Sequence, residues 1–446
     1  MKHFESVKRI IILQLAVVGL LMQTMAYVYV WRTVYNDIMQ KYMWRNFTGK
    51  GFWLLAAVYL VLLLFFTGTY GGLKIGYLKP MDVFFSQVLS LLFVNAISYF
   101  QISLLSLKMV TAYPLVIMTL VQTGIAAVWV FICQSFYRQL FPPRKLLLIS
   151  GNRPIEDILH KFESREDKYE VVKCMREDAG QQALEKEILE RYDGIVLWDI
   201  NTGLRNKLLK FCYSRSIRVY MMPKIPDIMI QGASQLHLFD TPILFTREYS
   251  MTVEQRFVKR AIDIICSLIL IIITSPIMLI TAVIIKCYDH GPVLYKQVRC
   301  TRNMQEFKIL KFRSMRTDAE KDGVARLASK NDNRITPVGK FIRKVRIDEL
   351  PQLFNILKGD MSLVGPRPER PFFVEKFKEE IPRYMIKHQV RPGMTGWAQV
   401  NGYRGDTSIR KRIEHDLYYI ENWTLGLDVK ILFLTVFKGF INKNAY

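Results

Sequence analysis

The chain has 446 residues, 51% of them hydrophobic yet 23% charged, with a formal charge of +23 and a pI near 9.7. That length implies two or three domains, and a mean hydropathy of +0.13 beside so much charge implies membrane segments alternating with polar domains rather than one soluble globule. The basic balance suits anionic lipid or phosphorylated ligands; nucleic acid is the weaker competing explanation, because no zinc-finger spacing, basic zipper or aromatic RNA-binding signature accompanies it.

Four apolar runs fill the first third: Ile10–Val30, Gly51–Tyr70, Val83–Leu107 and Tyr113–Tyr137. Each is near the ~20 residues that cross a bilayer as a helix. The first has basic flanks like a signal peptide, but it is too long and lacks a small-residue cleavage site. Trp31, Trp44 and Trp53 lie near run ends, where amphipathic rings prefer the interface. Lys2, Lys8, Arg9, Lys74, Lys79, Arg138, Arg144 and Lys145 outweigh the cations of the alternate loops, which orients the N-terminus inside. Six cysteines (Cys133, Cys174, Cys212, Cys266, Cys287 and Cys300) form no C-x-x-C, a pattern for a reducing compartment. The histidines form no ligand-spaced cluster, which speaks against zinc.

From Lys145 the pattern becomes that of an α/β unit. Lys145–Ser150, Tyr169–Val172, Gly194–Trp198 and Ile217–Met221 read as strands, separated by helical stretches near Ile155–Phe162, Gln182–Tyr192 and Leu204–Ser214. Such alternation predicts a parallel, Rossmann-like sheet. The first strand leads into Ser150-Gly151-Asn152-Arg153-Pro154, with a single glycine and no G-x-G-x-x-G, so a structural or regulatory module is favoured over nucleotide binding. The expected division is a transmembrane region over 1–140, the sheet domain over 141–250 and a third domain over 251–446.

Arg260–Lys286 is apolar enough to be a fifth span by hydropathy alone, but Ser275-Pro276 interrupts it, and proline removes a backbone bond and bends a helix. Lys296 to Arg346 is dense in cations. The next stretch is Ile347-Asp348-Glu349-Leu350-Pro351-Gln352-Leu353-Phe354-Asn355-Ile356-Leu357. Ile347, Leu350, Phe354 and Leu357 form a helical stripe, and Pro351 is tolerated only in a first turn. That predicts Asp348 at or near an N-cap and ionised. An aspartate there is either a plain cap or a carboxylate nucleophile that attacks phosphorus. Gly365-Pro366-Arg367-Pro368-Glu369 favours the nucleophile, because two prolines fix a forked donor suited to phosphate.

Asp-Glu-Leu-Pro-Gln and Gly-Pro-Arg-Pro-Glu at this spacing resemble the bacterial sugar transferases, monotopic phosphoglycosyl transferases, in their long form. The resemblance implies a membrane protein of mixed α and α/β class: four N-terminal transmembrane helices, the Rossmann-like domain and a mostly helical catalytic domain. In that domain, residues 260–286 would be a re-entrant membrane helix broken at Ser275 and Pro276. Ser275 would satisfy the carbonyl that Pro276 frees. The implied partners are a UDP-sugar, undecaprenyl phosphate and membrane lipid at the cytoplasmic face of the bacterial inner membrane; a homodimer stays open. Implied catalytic residues are Asp348 and Glu349, which would also hold Mg2+. Lys311, Arg343 and Arg367 would face the diphosphate, with Gln297 and Arg299 also at family positions. Where the family has a glycine-containing turn, this chain has Cys300-Thr301-Arg302-Asn303-Met304. Arg391–Gly402 would form a wall of the site, and Leu427–Ile441 reads as an amphipathic surface helix or as part of the core. The run from Gln399 to Gly405 and the ending Lys438–Tyr446 resemble the glucose-transferring branch that initiates exopolysaccharide or capsule units, with galactose or an N-acetylhexosamine as the open alternatives for the sugar. The rival readings are a multi-span transferase, which needs more apolar runs than are here, and a membrane scaffold or nucleotide-sensing regulator, which leaves Asp348, Glu349 and Arg367 unexplained.

Overall fold

A computed structural model describes residues 2–43, 50–190, 192–224, 226–227, 230, 233–238, 240–245, 251–316, 334–381, 384–403 and 408–441. Expectations on Trp44, Arg404, Gly405, Asn442–Tyr446 and the basic stretch 317–333 lie outside these. The chain forms two compact units, Met1–Lys224 and Ile225–Tyr446.

The first unit opens with α1 (Lys2–Val30), which passes through a π-helical turn at Trp31–Tyr35 into α2 (Asn36–Met43). Then come α3 (Lys50–Tyr70), α4 (Pro80–Leu105) and α5 (Tyr113–Leu140). All four long helical stretches are apolar enough to cross a membrane. Tyr27 stacks on Tyr59 at 4.0 Å between ring centroids, inside a core with Leu63, Val94 and Met118. Several polar groups within this bundle bond one another across its helices. Gln122 Nε2 donates to Tyr59 Oη at 2.8 Å and to Gln23 O at 2.9 Å, and Tyr59 Oη donates to Asn95 Oδ1 at 2.8 Å.

The same unit continues as β1 (Arg144–Ser150), α6 (Glu156–Glu163), β2 (Tyr169–Arg176), α7 (Gln181–Ile188), β3 (Gly194–Trp198), α8 (Thr202–Ser214) and β4 (Val219–Met221). The sheet is parallel throughout, in the order β2-β1-β3-β4. Leu147, Ile149, Ile195 and Leu197 face α7 and α8, while Leu146, Leu148, Val196 and Trp198 face α6. Strands buried on both faces need such continuous apolar runs.

In the second unit a short antiparallel pair, β5 (Ser234–Leu238) and β6 (Thr241–Phe245), precedes the 37-residue helix α9 (Val253–Asp289). Thr252 caps α9 in a reciprocal capping box with Gln255. The helix runs on through Pro276. Ser275 Oγ donates to Ile272 O at 2.9 Å, the acceptor that an N–H at position 276 would have used, so the hydroxyl does what the sequence asked of it. One stripe of α9 is buried: Asp263 and Ser267 in its first half, Met278, Thr281 and Ile285 in its second. Most of its other faces are exposed aliphatic side chains, and it is the fifth helix long and apolar enough to cross a membrane.

Around α9 lie β7 (Leu294–Cys300), β8 (Glu306–Phe312), α10 (Pro337–Lys344), α11 (Gln352–Lys358), β9 (Ser362–Val364), α12 (Pro371–Glu380), β10 (Gly393–Thr395), α13 (Trp397–Val400), α14 (Ile409–Glu421) and α15 (Leu425–Ile441). Their core joins Leu353, Ile356, Leu363, Tyr419 and Ile431. Both halves of α9 are tied to it. Lys259 Nζ pairs with Asp428 at 2.6 Å, Leu363 N donates to Asp263 Oδ1 at 3.0 Å, and Arg313 pairs with Asp289 at the far end. Between these, Met278 and Ile285 pack with Phe312 and Ile342. The turn from β7 to β8 places Asn303 and Met304 at φ 55° and 62°, a left-handed turn built without glycine. Helix α15 meets the core through Ile431 and Leu434 and leaves Val436 and Phe437 exposed, so the two readings of that segment describe its two faces.

Candidate active site

Asp348 lies on a 3-10 turn, Ile347–Glu349, and not at the N-cap of the helix that follows. That helix, α11, starts at Gln352 with Pro351 as its cap residue. The physical reason is Arg346, whose left-handed φ of 59° reverses the chain just before Ile347 and closes a separate turn. Asp348 is therefore only 8% exposed, rather than set against the free N–H groups of an α-helix. Burial pushes its carboxyl up to about 6, with Glu349 adding to the rise and Lys311, Arg343 and Arg367 opposing it. It is ionised at neutral pH, as the sequence predicts, but with a proton affinity far above an ordinary aspartate.

Three elements bring those groups together. Lys311 is on β8, and its Nζ pairs with Glu349 Oε1 at 3.2 Å. Arg343 comes from the last turn of α10, with Nη1 buried and unpartnered. Arg346, which with Arg343 and Lys344 stands directly before the Asp348 turn in sequence, adds a further guanidinium. Its Nε is buried without a partner, and burial lowers its pKa against the pull of Glu349. Its signal was in plain view, as the residue two before Asp348. Unpartnered buried guanidinium nitrogens around a carboxylate pair are donors suited to phosphate oxygens.

Helix α11 holds this turn against β8. Asn355 Nδ2 donates to Lys308 O and its Oδ1 accepts from Leu310 N, both at 2.9 Å, so the side chain acts as one more peptide on the edge of β8. Arg260 of α9 closes the other end, donating to Ile356 O at 2.6 Å and Leu357 O at 2.7 Å, where Gly359 at φ 103° ends α11.

The loop carrying Arg367 is clamped on both sides. Gly365 N donates to Thr395 O at 2.9 Å and Gly393 N to Pro366 O at 2.8 Å. Gly365 and Gly393 pass so closely that a Cβ on either would meet the other's backbone. So the run from Arg391 supports the Arg367 loop from behind. Arg299 Nη1 donates to Pro368 O at 3.3 Å and Nη2 to Gln297 Oε1 at 2.8 Å. Burial and the neighbouring Arg367 lower the Arg299 guanidinium to about 10. Arg299 thus links Gln297 to the loop that carries Arg367. Glu369 completes the anchor by accepting from Arg412 Nη1 at 2.9 Å, a pairing no local motif announced. Burial works to raise Glu369, but Lys387, Arg412, Arg367 and Arg299 outweigh it and hold the carboxyl below its usual range.

Asp348 and Glu349 are neighbouring carboxylates that repel each other, and among the described residues no group of three or more His, Cys, Asp or Glu could hold a metal. This donor set fits Mg2+, which is commonly bound by one or two carboxylates together with substrate phosphates.

The exits of β1 and β3 in the sheet domain, where such folds take ligands, are crowded. A Cβ on Gly151 would strike the Asp199 carbonyl, and Arg153 pairs with Asp199 at 3.5 Å.

The family model of the bacterial sugar transferases matches residues 254–442. The chain is 45% identical over 186 residues to an exopolysaccharide production protein PSS from Rhizobium leguminosarum bv. phaseoli, a match covering 40% of this chain and 92% of that protein. The chain belongs to the bacterial sugar transferase family. Among longer relatives, it is 48% identical over 221 residues to a UDP-glucose:undecaprenyl-phosphate glucose-1-phosphate transferase of Klebsiella pneumoniae, covering 49% of this chain and 46% of the relative. It is 45% identical over 254 residues to a UDP-N-acetylgalactosamine-undecaprenyl-phosphate N-acetylgalactosaminephosphotransferase of Aeromonas hydrophila, covering 55% and 58%. The matched part is thus about half the length of these two relatives. In this bacterial sugar transferase, Asp348, Glu349, Arg343 and Arg367 all fall inside the family match.

Proposed function

We propose that the protein transfers a sugar 1-phosphate from a UDP-sugar to undecaprenyl phosphate, releasing UMP, with Asp348 as a covalent nucleophile. The observation that carries this is the buried Asp348 carboxylate ringed by Glu349, Lys311, Arg343 and Arg367. A carboxylate oxygen of Asp348 attacks the sugar-linked phosphorus. The bond from that phosphorus to the UMP oxygen breaks, and UMP leaves with the electron pair. A phosphate oxygen of undecaprenyl phosphate then attacks the same phosphorus. The acyl phosphate bond breaks, Asp348 is regenerated, and a sugar-diphospho-undecaprenol results. Lys311, Arg343 and Arg367 stabilise charge on the transferring group throughout. Held by Asp348 and Glu349, Mg2+ would supply charge neutralisation at the diphosphate.

UDP-glucose is the donor we place first. The Klebsiella relative's name supports it, while the Aeromonas relative's name makes N-acetylgalactosamine the direct competitor. The product would begin an exopolysaccharide or capsule repeat unit. We also read the four long N-terminal helices as spans and α9 as re-entrant, with the catalytic unit at the cytoplasmic face of the inner membrane. Re-entry is supported by one buried stripe that binds both halves of α9 to the same polar unit, from Asp263 to Asp289. A straight span would place those attachments on opposite sides of the bilayer.

The test is a burst. Enzyme and UDP-sugar without lipid acceptor should release about one UMP per active site, and the protein should gain the mass of a sugar phosphate on the Asp348 peptide. Asp348→Asn should abolish both. UMP release only after lipid is added would sink the covalent step.

A further inference from the structure

Away from Asp348, a partly open pocket lies beside the first turns of α9. Arg256, Lys259 and Asp263 line it from the helix, Arg302 from the β7–β8 turn and Arg391 from the segment before β10. The Asp348 turn packs instead against the second half of α9, through Ile347 and Leu350 beside Met278 and Ile285. No group lining this pocket acts on Asp348 among those named above.

Four cations against one carboxylate leave the pocket positive. Lys259 is already committed to Asp428, and Asp263 to the Leu363 amide. The remaining cations are not all served by the protein. Arg302 Nε is buried with no hydrogen-bond partner. Arg391 is half-buried and disfavoured first by that burial and then by Arg260, with Asp263 only partly offsetting both. Guanidinium groups so placed are held ready for an anion.

The surroundings say what carries that anion. On α9, Leu270, Ile273 and Ile277 continue the flank of Lys259 and Asp263 into the apolar run, at 38%, 64% and 45% exposure. The helix changes here from charged turns to an almost wholly apolar run, the sequence signature of a headgroup boundary.

We propose that this pocket is a second phosphate site, distinct from the Asp348 centre, and that it seats the headgroup phosphate of an anionic phospholipid. Its acyl chains lie along Leu270, Ile273 and Ile277, and it fixes the depth at which α9 sits in the membrane.

Native mass spectrometry of the full chain, released from bilayers of equal phosphatidylglycerol and phosphatidylcholine, reads the site without any turnover. Phosphatidylglycerol should dominate the retained lipid. The pair Arg302→Gln with Arg391→Gln should cut the ratio of phosphatidylglycerol to phosphatidylcholine adducts about tenfold, as expected when two basic contacts to an anionic headgroup are lost. Arg302→Lys with Arg391→Lys should restore the ratio, which a merely destabilised protein would not do. Equal retention of both lipids, or a ratio indifferent to the Gln pair, overturns the proposal. So does a competition in which undecaprenyl phosphate, or inorganic phosphate alone, takes the Arg302- and Arg391-dependent position while phosphatidylglycerol does not.

Discussion

At the residue scale, the chemistry turns on how far each neighbour moves the proton on Asp348. The nucleophile must be the carboxylate, and in the free enzyme burial and Glu349 set its midpoint near 6. We therefore expect kcat/KM for the UDP-sugar to have an acid limb centred near pH 6, falling about tenfold per pH unit below it. The neighbours give two opposite tests of sign. Arg343→Gln removes a charge that lowers the Asp348 pKa, so the limb should move to higher pH, alongside a loss of about 100-fold or more in rate. Glu349→Gln removes a charge that raises it, so the limb should move to lower pH even as turnover slows. A limb that stays put in both variants would show that Asp348 is not the group titrating. Farther back, Arg412→Leu takes from buried Glu369 its hydrogen-bonded cation while Lys387, Arg367 and Arg299 remain, so the loss should stay below the about 3 to 5 kcal/mol of a fully unpaired buried charge. The measurement is the apparent melting temperature in detergent, which should fall along with turnover as the Arg367 loop loses its anchor.

At the element scale, α9 decides where the enzyme meets its membrane. Its 37 residues would extend about 55 Å if straight, well beyond a ~30 Å hydrocarbon core. Yet its buried stripe runs from Asp263 to Ile285 against a single unit. Cys287, exposed near the far end of α9, is a natural reporter. In a chain stripped of its other cysteines, a membrane-impermeant maleimide should reach Cys287 from the cytoplasmic side only. Pro276→Ala should restore the missing backbone bond, favour spanning and lower activity; labelling of Cys287 from outside in the unaltered helix would show a true fifth span. The clamp on α11 belongs to this scale too, since Asn355 and Arg260 tie the helix after Asp348 to β8 and to α9.

At the scale of the whole molecule, the question is what the first unit adds. A family match at 254–442, and a Rhizobium relative covered to 92% by 186 residues, point to a catalytic part that is sufficient in length by itself. Removing residues 144–245 should therefore leave the UMP burst intact in a protein that still reaches the membrane, while lowering its stability or assembly. Loss of the burst in a folded, membrane-bound deletion would give the sheet domain a direct catalytic part.

The sequence by itself determined the periodic elements and the family. Apolar runs of bilayer length and strands alternating with helices are local signals, because burial imposes periods of 3.6 and 2 on neighbouring residues. Ser275 beside Pro276 likewise announced its own remedy. What only the tertiary structure decided was long-range. Arg346 takes a left-handed conformation that separates the Asp348 turn from α11, and burial, which no local pattern reports, raises the Asp348 pKa. Arg299 is joined to the Arg367 loop through the Pro368 carbonyl, a contact between distant segments. The pairing of Glu369 with Arg412 and the gathering of Arg302 and Arg391 beside α9 join residues far apart along the chain. Such contacts follow from how elements pack, and packing is a property of the whole fold.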